Sequence, residues 1–315
     1  MASRDADAQA ILRLEEALNL AGSMLCAVSY GVAFTLYCIC ARSLRRRHRK
    51  SGQGKGAVIA LVYTTFAMAC ATVFLGLTHY FIQMSYVFHR NDFADGPLIY
   101  EAYKLGSQPP YVTSLVFWAM LDWLTLGIQI WRLGVLWRNS RYFPYVMVPP
   151  TGLLIACVGV HLATAVDQTH TLDLVNLNYS YFLGVAFFAI PPVTTILVTA
   201  LMTLRLSLIR RRHILIMGET DVSKQYTGVI SMLIESYALD ATWSTATLLT
   251  YAFPQSLVSN IFLQSSVNVK IIALFLLVYR VAKGRAWEAH TEGQLTNSHT
   301  FRTTTELHSA ASWPA

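Results

Sequence analysis

Polar residues along this chain are gathered into short stretches that separate seven long apolar runs, at approximately 17–41, 57–82, 111–131, 144–166, 180–204, 226–251 and 256–280. A helix needs about 20 apolar residues to cross about 30 Å of hydrocarbon, and each run meets that length. None alternates apolar and polar residues with the period of two that a membrane barrel requires. Backbone groups in hydrocarbon find no partner outside their own segment, so each run is predicted to be α-helical. The expected fold is an all-α membrane protein, a seven-transmembrane helix bundle over 17–284. A short extracellular segment, 1–16, precedes it. The tail, 285–315, is rich in Ser, Thr and His without apolar periodicity and is predicted to be disordered and cytoplasmic.

Lys and Arg orient the bundle. Nineteen fall in the first, third and fifth loops and the tail, including Arg42, Arg45, Arg46, Arg47 and Arg49 in the first loop. Only Arg4, Arg13, Arg90 and Lys104 fall on the other side. Basic loops stay cytoplasmic, which predicts an N-terminus outside and a C-terminus inside. The outer second loop, about 83–110, is long and placed to cover an outer vestibule. Asn178-Tyr179-Ser180 is a glycosylation sequon on the same outer side, close to the fifth run. Pro149-Pro150 and Pro191-Pro192 fall inside runs and are expected to kink them, because each ring removes a backbone donor.

Composition agrees with this layout. Hydrophobic residues make up 54% of the 315 residues and charged residues 13%, with a mean hydropathy of +0.43. A soluble domain carries roughly 25% charged residues, so this chain needs the lipid bilayer as its solvent. Its basic residues sit between apolar runs, with no basic domain interleaved with aromatics, which argues against a nucleic-acid partner. Cys26, Cys38, Cys40, Cys70 and Cys157 all lie within apolar runs, so no disulfide joins outer loops. Cys38 and Cys40 precede a basic stretch, a weak signal for S-palmitoylation. The first run is too long for a signal-peptide core and is expected to remain as a span. The expected location is the plasma membrane or another membrane of the secretory pathway.

Four ionisable residues fall deep in apolar runs: Asp122 in the third, Glu235 and Asp240 in the sixth, and Lys270 in the seventh. Such groups are costly in hydrocarbon and point to a site. Helical spacing extends them into polar stripes. Asp122, Thr125 and Gln129 share one face, as do Ser236, Asp240, Ser244 and Thr247, and as do Ser266 and Lys270. Three readings remain open: a structural ion pair of Lys270 with Asp122 or Asp240, a ligand or ion site on the same residues, and exposure to a wet vestibule.

Histidines 79, 89, 161 and 170 lie toward the outer half, near Asp167, but without HxxxH or HExxH spacing. No metal site is therefore expected, no cofactor is called for, and no nucleophile–base pair suggests an enzyme.

The topology resembles that of G-protein-coupled receptors, although the third run ends Gln129-Ile130-Trp131-Arg132 and the seventh lacks Asn-Pro-x-x-Tyr. Leu121-Asp122-Trp123 and Asn268-Val269-Lys270 look like the counter-ion and retinal-lysine steps of microbial rhodopsins. Ala119 and Ser266 stand where that family has a basic and an acidic residue. A third set of motifs comprises Asn139-Ser140-Arg141-Tyr142, Ile234-Glu235-Ser236-Tyr237-Ala238-Leu239 and Tyr279-Arg280-Val281-Ala282-Lys283-Gly284-Arg285-Ala286-Trp287. Across about residues 15–290 it resembles a family of uncharacterised seven-span membrane proteins of mushroom-forming fungi. That resemblance implies a fold and a location, and it places Glu235 within a shared motif but not Lys270.

The leading expectation is a receptor-like protein that senses a small extracellular ligand between its third, fifth, sixth and seventh spans. Asp122, Asp240 and Lys270 would orient the ligand, Pro191-Pro192 would let a helix move, and the inner loops would meet an acidic lipid or a cytoplasmic signalling partner. The alternative is an ion- or proton-coupled transporter or channel using the same charges, and a minor one is a retinal-binding protein. Membrane transporters commonly contain repeats, and no internal repeat is evident here.

Overall fold

The computed structural model describes residues 2–51, 55–90, 97–100, 108–138, 140–167, 177–217, 221–253 and 258–280. Within them the chain is helical throughout, with no strand. The long helices are α1 (Ala2–Ser51), α2 (Lys55–Gln83), α4 (Pro109–Trp137), α5 (Phe143–Asp167), α6 (Leu177–Met217), α7 (Asp221–Ala252) and α8 (Ser259–Arg280). The short α3 covers Pro97–Tyr100, and a π-helical turn, Met84–Phe88, continues α2. The tail 285–315 and most of the loop 91–107 lie outside the described residues.

Six of the long helices are long and apolar enough to cross a membrane, and α7 is the exception. It carries Glu235 and Asp240 among many Ser and Thr residues, which dilute its apolar character. The chain is therefore a multi-pass helical bundle suited to a bilayer.

Two boundaries differ from the sequence reading. α1 starts at Ala2 and ends at Ser51, so residues 2–16 and the basic stretch Arg42–Lys50 are turns of one helix, about 75 Å long at 1.5 Å per residue. α6 likewise continues past 204 to Met217. Apolarity marks only the part of a helix that meets hydrocarbon. Ala, Leu, Arg and Glu favour the same helix on either side of it. Pro149-Pro150 and Pro191-Pro192 sit inside α5 and α6, which run on through them.

Successive helices run in alternate directions, because one end of the bundle collects the start of α1, the end of α2, the starts of α4 and α6, the ends of α5 and α7, and the start of α8. One apolar cluster joins α1, α2, α4 and α8 through Cys40, Phe74, Leu121, Ile271 and Phe275. A second joins α4, α6, α7 and α8 through Leu133, Trp137, Val198, Tyr237 and Leu277. α8 is the most enclosed helix and takes part in both. Small residues let it approach α1: a Cβ at Gly22 would lie 2.9 Å from the carbonyl oxygen of Asn260. Polar groups then bond across the gap, with Asn268 Nδ2 donating to the Cys26 carbonyl at 2.9 Å. Outward faces carry Met24, Val28 and Val32 on α1 and Ile59, Val62 and Phe66 on α2, at the spacing of a lipid-facing stripe.

Candidate functional site

The polar stripes of α4, α7 and α8 turn inward. Asp122, Thr125 and Gln129 are buried on α4, Ser236, Asp240, Ser244 and Thr247 on α7, and Ser266 and Lys270 on α8. Lys270 Nζ donates to Asp122 Oδ1 at 2.6 Å, and the two side chains are only 9% and 2% exposed. A buried charge of either sign would cost several kcal/mol alone, so each neutralises the other.

The second carboxylate oxygen of Asp122 makes no hydrogen bond and stands 3.9 Å from Nε2 of His161 on α5. His161 is itself buried, with its Nε2 3.7 Å from the sulfur of Cys157 one turn earlier. Asp240 lies within electrostatic reach of Lys270 and accepts from Thr195 Oγ1 at 3.3 Å and from Ser244 Oγ at 3.1 Å. Five helices, α4 to α8, thus supply one charged cluster.

The other candidates fall differently. Ser266 donates to the Leu263 carbonyl of its own helix at 3.0 Å, and the Oε1 of the buried Gln129 has no partner. Glu235 does not join the cluster: its side chain is 67% exposed and pairs with Arg280 Nη1 at 2.6 Å. Asn178 lies in the first turn of α6, and its side chain falls outside the described residues, as does His170. His79 bonds the Leu75 carbonyl of its own helix. Asp167 accepts from Ser180 Oγ at 2.8 Å, tying the end of α5 to the start of α6. Cys40 is buried against α8, so only Cys38 of the pair before the basic stretch is partly accessible.

No family model, no curated protein and no solved structure matches the chain.

Above the charged cluster, at the end of the bundle away from the basic first loop, lies a cavity of about 460 Å³. Its rim carries Asn19, Asn260, Gln264, Asp167 and Ser180, and its wall and floor carry Phe74, Trp118, Phe187, Phe188 and Tyr251. These rings form a continuous series. Phe74 meets Trp118 edge-on at 5.6 Å, Trp118 lies 5.9 Å from Phe187, Phe187 lies 5.0 Å from Phe188, and Phe188 lies 4.7 Å from Tyr251.

Two of these rings connect the cavity to the charges beneath. Trp118 precedes Asp122 by one turn of α4, and the ring of Phe187 packs 4.2 Å from that of His161. Pro191 and Pro192 lack amide hydrogens, so the carbonyls of Phe187 and Phe188 lose their helical donors beside the cavity. The indole N–H of Trp118 is buried and unbonded. In the sequence, Trp118 and Phe187 carry no signal, Cys157 reads as a small buried hydrophobe, and His161 reads only as a possible metal ligand. An aromatic or a histidine in an apolar run carries no signal until its neighbours are known.

The rim is stitched by side chains. Asn19 receives a hydrogen bond from Gln264 and donates to Tyr86 Oη on the π-helical turn at 3.2 Å. His89, which caps that turn, stacks on Tyr100 with ring centres 4.4 Å apart. Part of the loop expected to cover the vestibule is thus anchored against α2.

Proposed function

We propose that the chain is a seven-span, receptor-like membrane protein, N-terminus outside and C-terminus cytoplasmic, that binds a small extracellular molecule in the aromatic vestibule. One observation carries this reading: the vestibule floor and the buried charged cluster share packing partners, through Trp118 and through Phe187 on His161. A ligand that moves either ring acts on the setting of Asp122 and Lys270. Binding would then favour one of two helix packings, by as much as the ligand's affinity for the two differs. The vestibule's volume falls in the range of small-molecule sites, about 300–1,000 Å³. Among the described residues, its lining holds one carboxylate, Asp167, and no lysine or arginine. The ligand class is therefore neutral or cationic, with an apolar body for the rings and donors or a cationic group for the rim.

The test is a thermal-unfolding screen of the purified protein in lipid nanodiscs against neutral and cationic amphiphiles. A ligand at 100 times its Kd stabilises by about 2.7 kcal/mol. Hits should lose their effect in Trp118→Ala. A screen without hits, or hits indifferent to that substitution, overturns the proposal.

A second reading, a proton- or ion-coupled transporter or channel, draws support from the enclosure of Asp122, His161, Asp240 and Lys270 together. It expects pH-dependent flux in proteoliposomes that is lost in Asp122→Asn and Asp240→Asn. Equal flux from the variants and the parent protein would eliminate it.

A further inference from the structure

The opposite end of the bundle holds a second cavity, of about 340 Å³, between the end of α1 and the start of α2. Arg42, Arg45, Arg46 and Arg49 line it, spaced at three, four and seven residues, which sets them on one face of α1. All four are exposed, and His48 lies beside them. The remaining lining is apolar: Leu44, Ala57, Val58 and Leu61.

These guanidinium groups have no counter-charge from their own hairpin, because no Asp or Glu occurs between Glu16 and Asp92. No ion pair involving them occurs among the described residues, whereas Arg280 at the same end of the bundle is paired with Glu235. The start of α2 adds the partial positive charge of a helix N-terminus. A general attraction between basic loops and an acidic leaflet needs no cavity. Here the charges instead enclose a space whose other wall is aliphatic and continues into Val58, Ile59 and Val62, exposed on the lipid-facing side of α2.

We propose that this cleft is a binding site for the phosphorylated headgroup of an anionic phospholipid. The guanidinium forks hold the phosphate oxygens, a geometry arginine supplies better than lysine, and the acyl chains leave along Val58 and Val62. An anion alone would use the arginines and leave the aliphatic wall without purpose; a neutral lipid would do the reverse. The site is separate from the vestibule and does not depend on what the vestibule binds.

Purified full-length protein in detergent would be titrated with a short-chain bisphosphorylated phosphoinositide, short-chain phosphatidylserine, short-chain phosphatidylcholine and soluble inositol trisphosphate. The expected order has the phosphoinositide tightest and phosphatidylcholine without measurable binding. Arg45→Gln/Arg49→Gln should weaken the phosphoinositide by about thirtyfold, at about one factor of five per basic residue. Arg138→Gln/Arg141→Gln removes the same charge from exposed positions outside the cleft and should leave binding within about twofold. Val58→Asp keeps every arginine, sets a carboxylate among them and should abolish binding, which guards against misfolding of the double variant. Equal losses in both double variants would reduce the effect to diffuse charge and overturn the site. Inositol trisphosphate binding as tightly as the lipid would overturn the lipid assignment, and so would phosphatidylcholine binding as well as the phosphoinositide.

Discussion

Lys270 on α8 and Asp122 on α4 meet at 2.6 Å in the middle of the bundle, and Asp240 on α7 stands within electrostatic reach of the same ammonium. The pair ties the most enclosed helix to the helix that forms the vestibule floor. Removing one partner leaves the other charge in a medium that cannot solvate it, at a cost of about 3–5 kcal/mol. Lys270→Met strands the Asp122 carboxylate and Asp122→Asn strands the ammonium, so each single change should be destabilising. The double variant Asp122→Asn/Lys270→Met should recover much of the loss. Thermal unfolding of the four proteins in one detergent gives the coupling directly, and additive losses would show that the pair does not act as a unit.

Glu235 and Arg280 are as close as Asp122 and Lys270, yet their pairing has a different meaning. The Glu235 carboxylate is mostly exposed, and Arg280 has further partners. Exposed ion pairs contribute little and are screened by salt. Glu235→Gln should therefore shift the unfolding midpoint far less than Asp122→Asn, and high salt should erase the difference from the parent protein. A shift as large as that of Asp122→Asn would mean that α7 and α8 are held together at this point.

Helical spacing made the inward stripes legible, and it also separates the two acids of α7. Glu235 and Asp240 are five residues apart, about 140° around a helix at 3.6 residues per turn, so they cannot share a face. The face of Asp240 includes Ser236, Ser244 and Thr247, and these are the residues the bundle buries. Periodicity does not state which stripe meets which. That Lys270 pairs with Asp122, and that His161 comes from a neighbouring helix to the same carboxylate, depend on helix order and rotation. The vestibule was legible only as an expectation of an outer opening, because its rings come from α2, α4, α6 and α7 and no local pattern links them.

Two glycines separate packing from site. At Gly22 an added Cβ would lie 2.9 Å from the Asn260 carbonyl oxygen and 3.1 Å from the Ile261 Cα, both backbone atoms, so α1 and α8 would have to part. Gly22→Ala should cost about 1–3 kcal/mol of stability, as overpacking does. At Gly184 the added Cβ would meet the Tyr251 hydroxyl and lie 2.8 Å from its Cζ, and that side chain can swing away. Gly184→Ala should therefore leave stability nearer the parent value and change vestibule binding, because both residues line that cavity. Unfolding midpoints and the ligand screen together distinguish the two effects, and the reverse pattern would place the tight helix contact at Gly184.

The number of crossings turns on α7, the one long helix not apolar enough to be marked as a span. Its buried face bonds α6 through Thr195 and Asp240, and its end reaches the vestibule at Tyr251 beside Phe188. Near its middle, Glu235 meets Arg280, the last residue of α8, on the basic side. On the proposed seven-span reading α7 crosses with its neighbours, its polar side chains turned inward where hydrocarbon does not reach them. Reporter fusions give the test. With seven crossings, a fusion after Ala315 reports the cytoplasm while an N-terminal tag is accessible from outside intact cells. With α7 lying in the interface, both ends fall on one side, and α8 must reverse its direction.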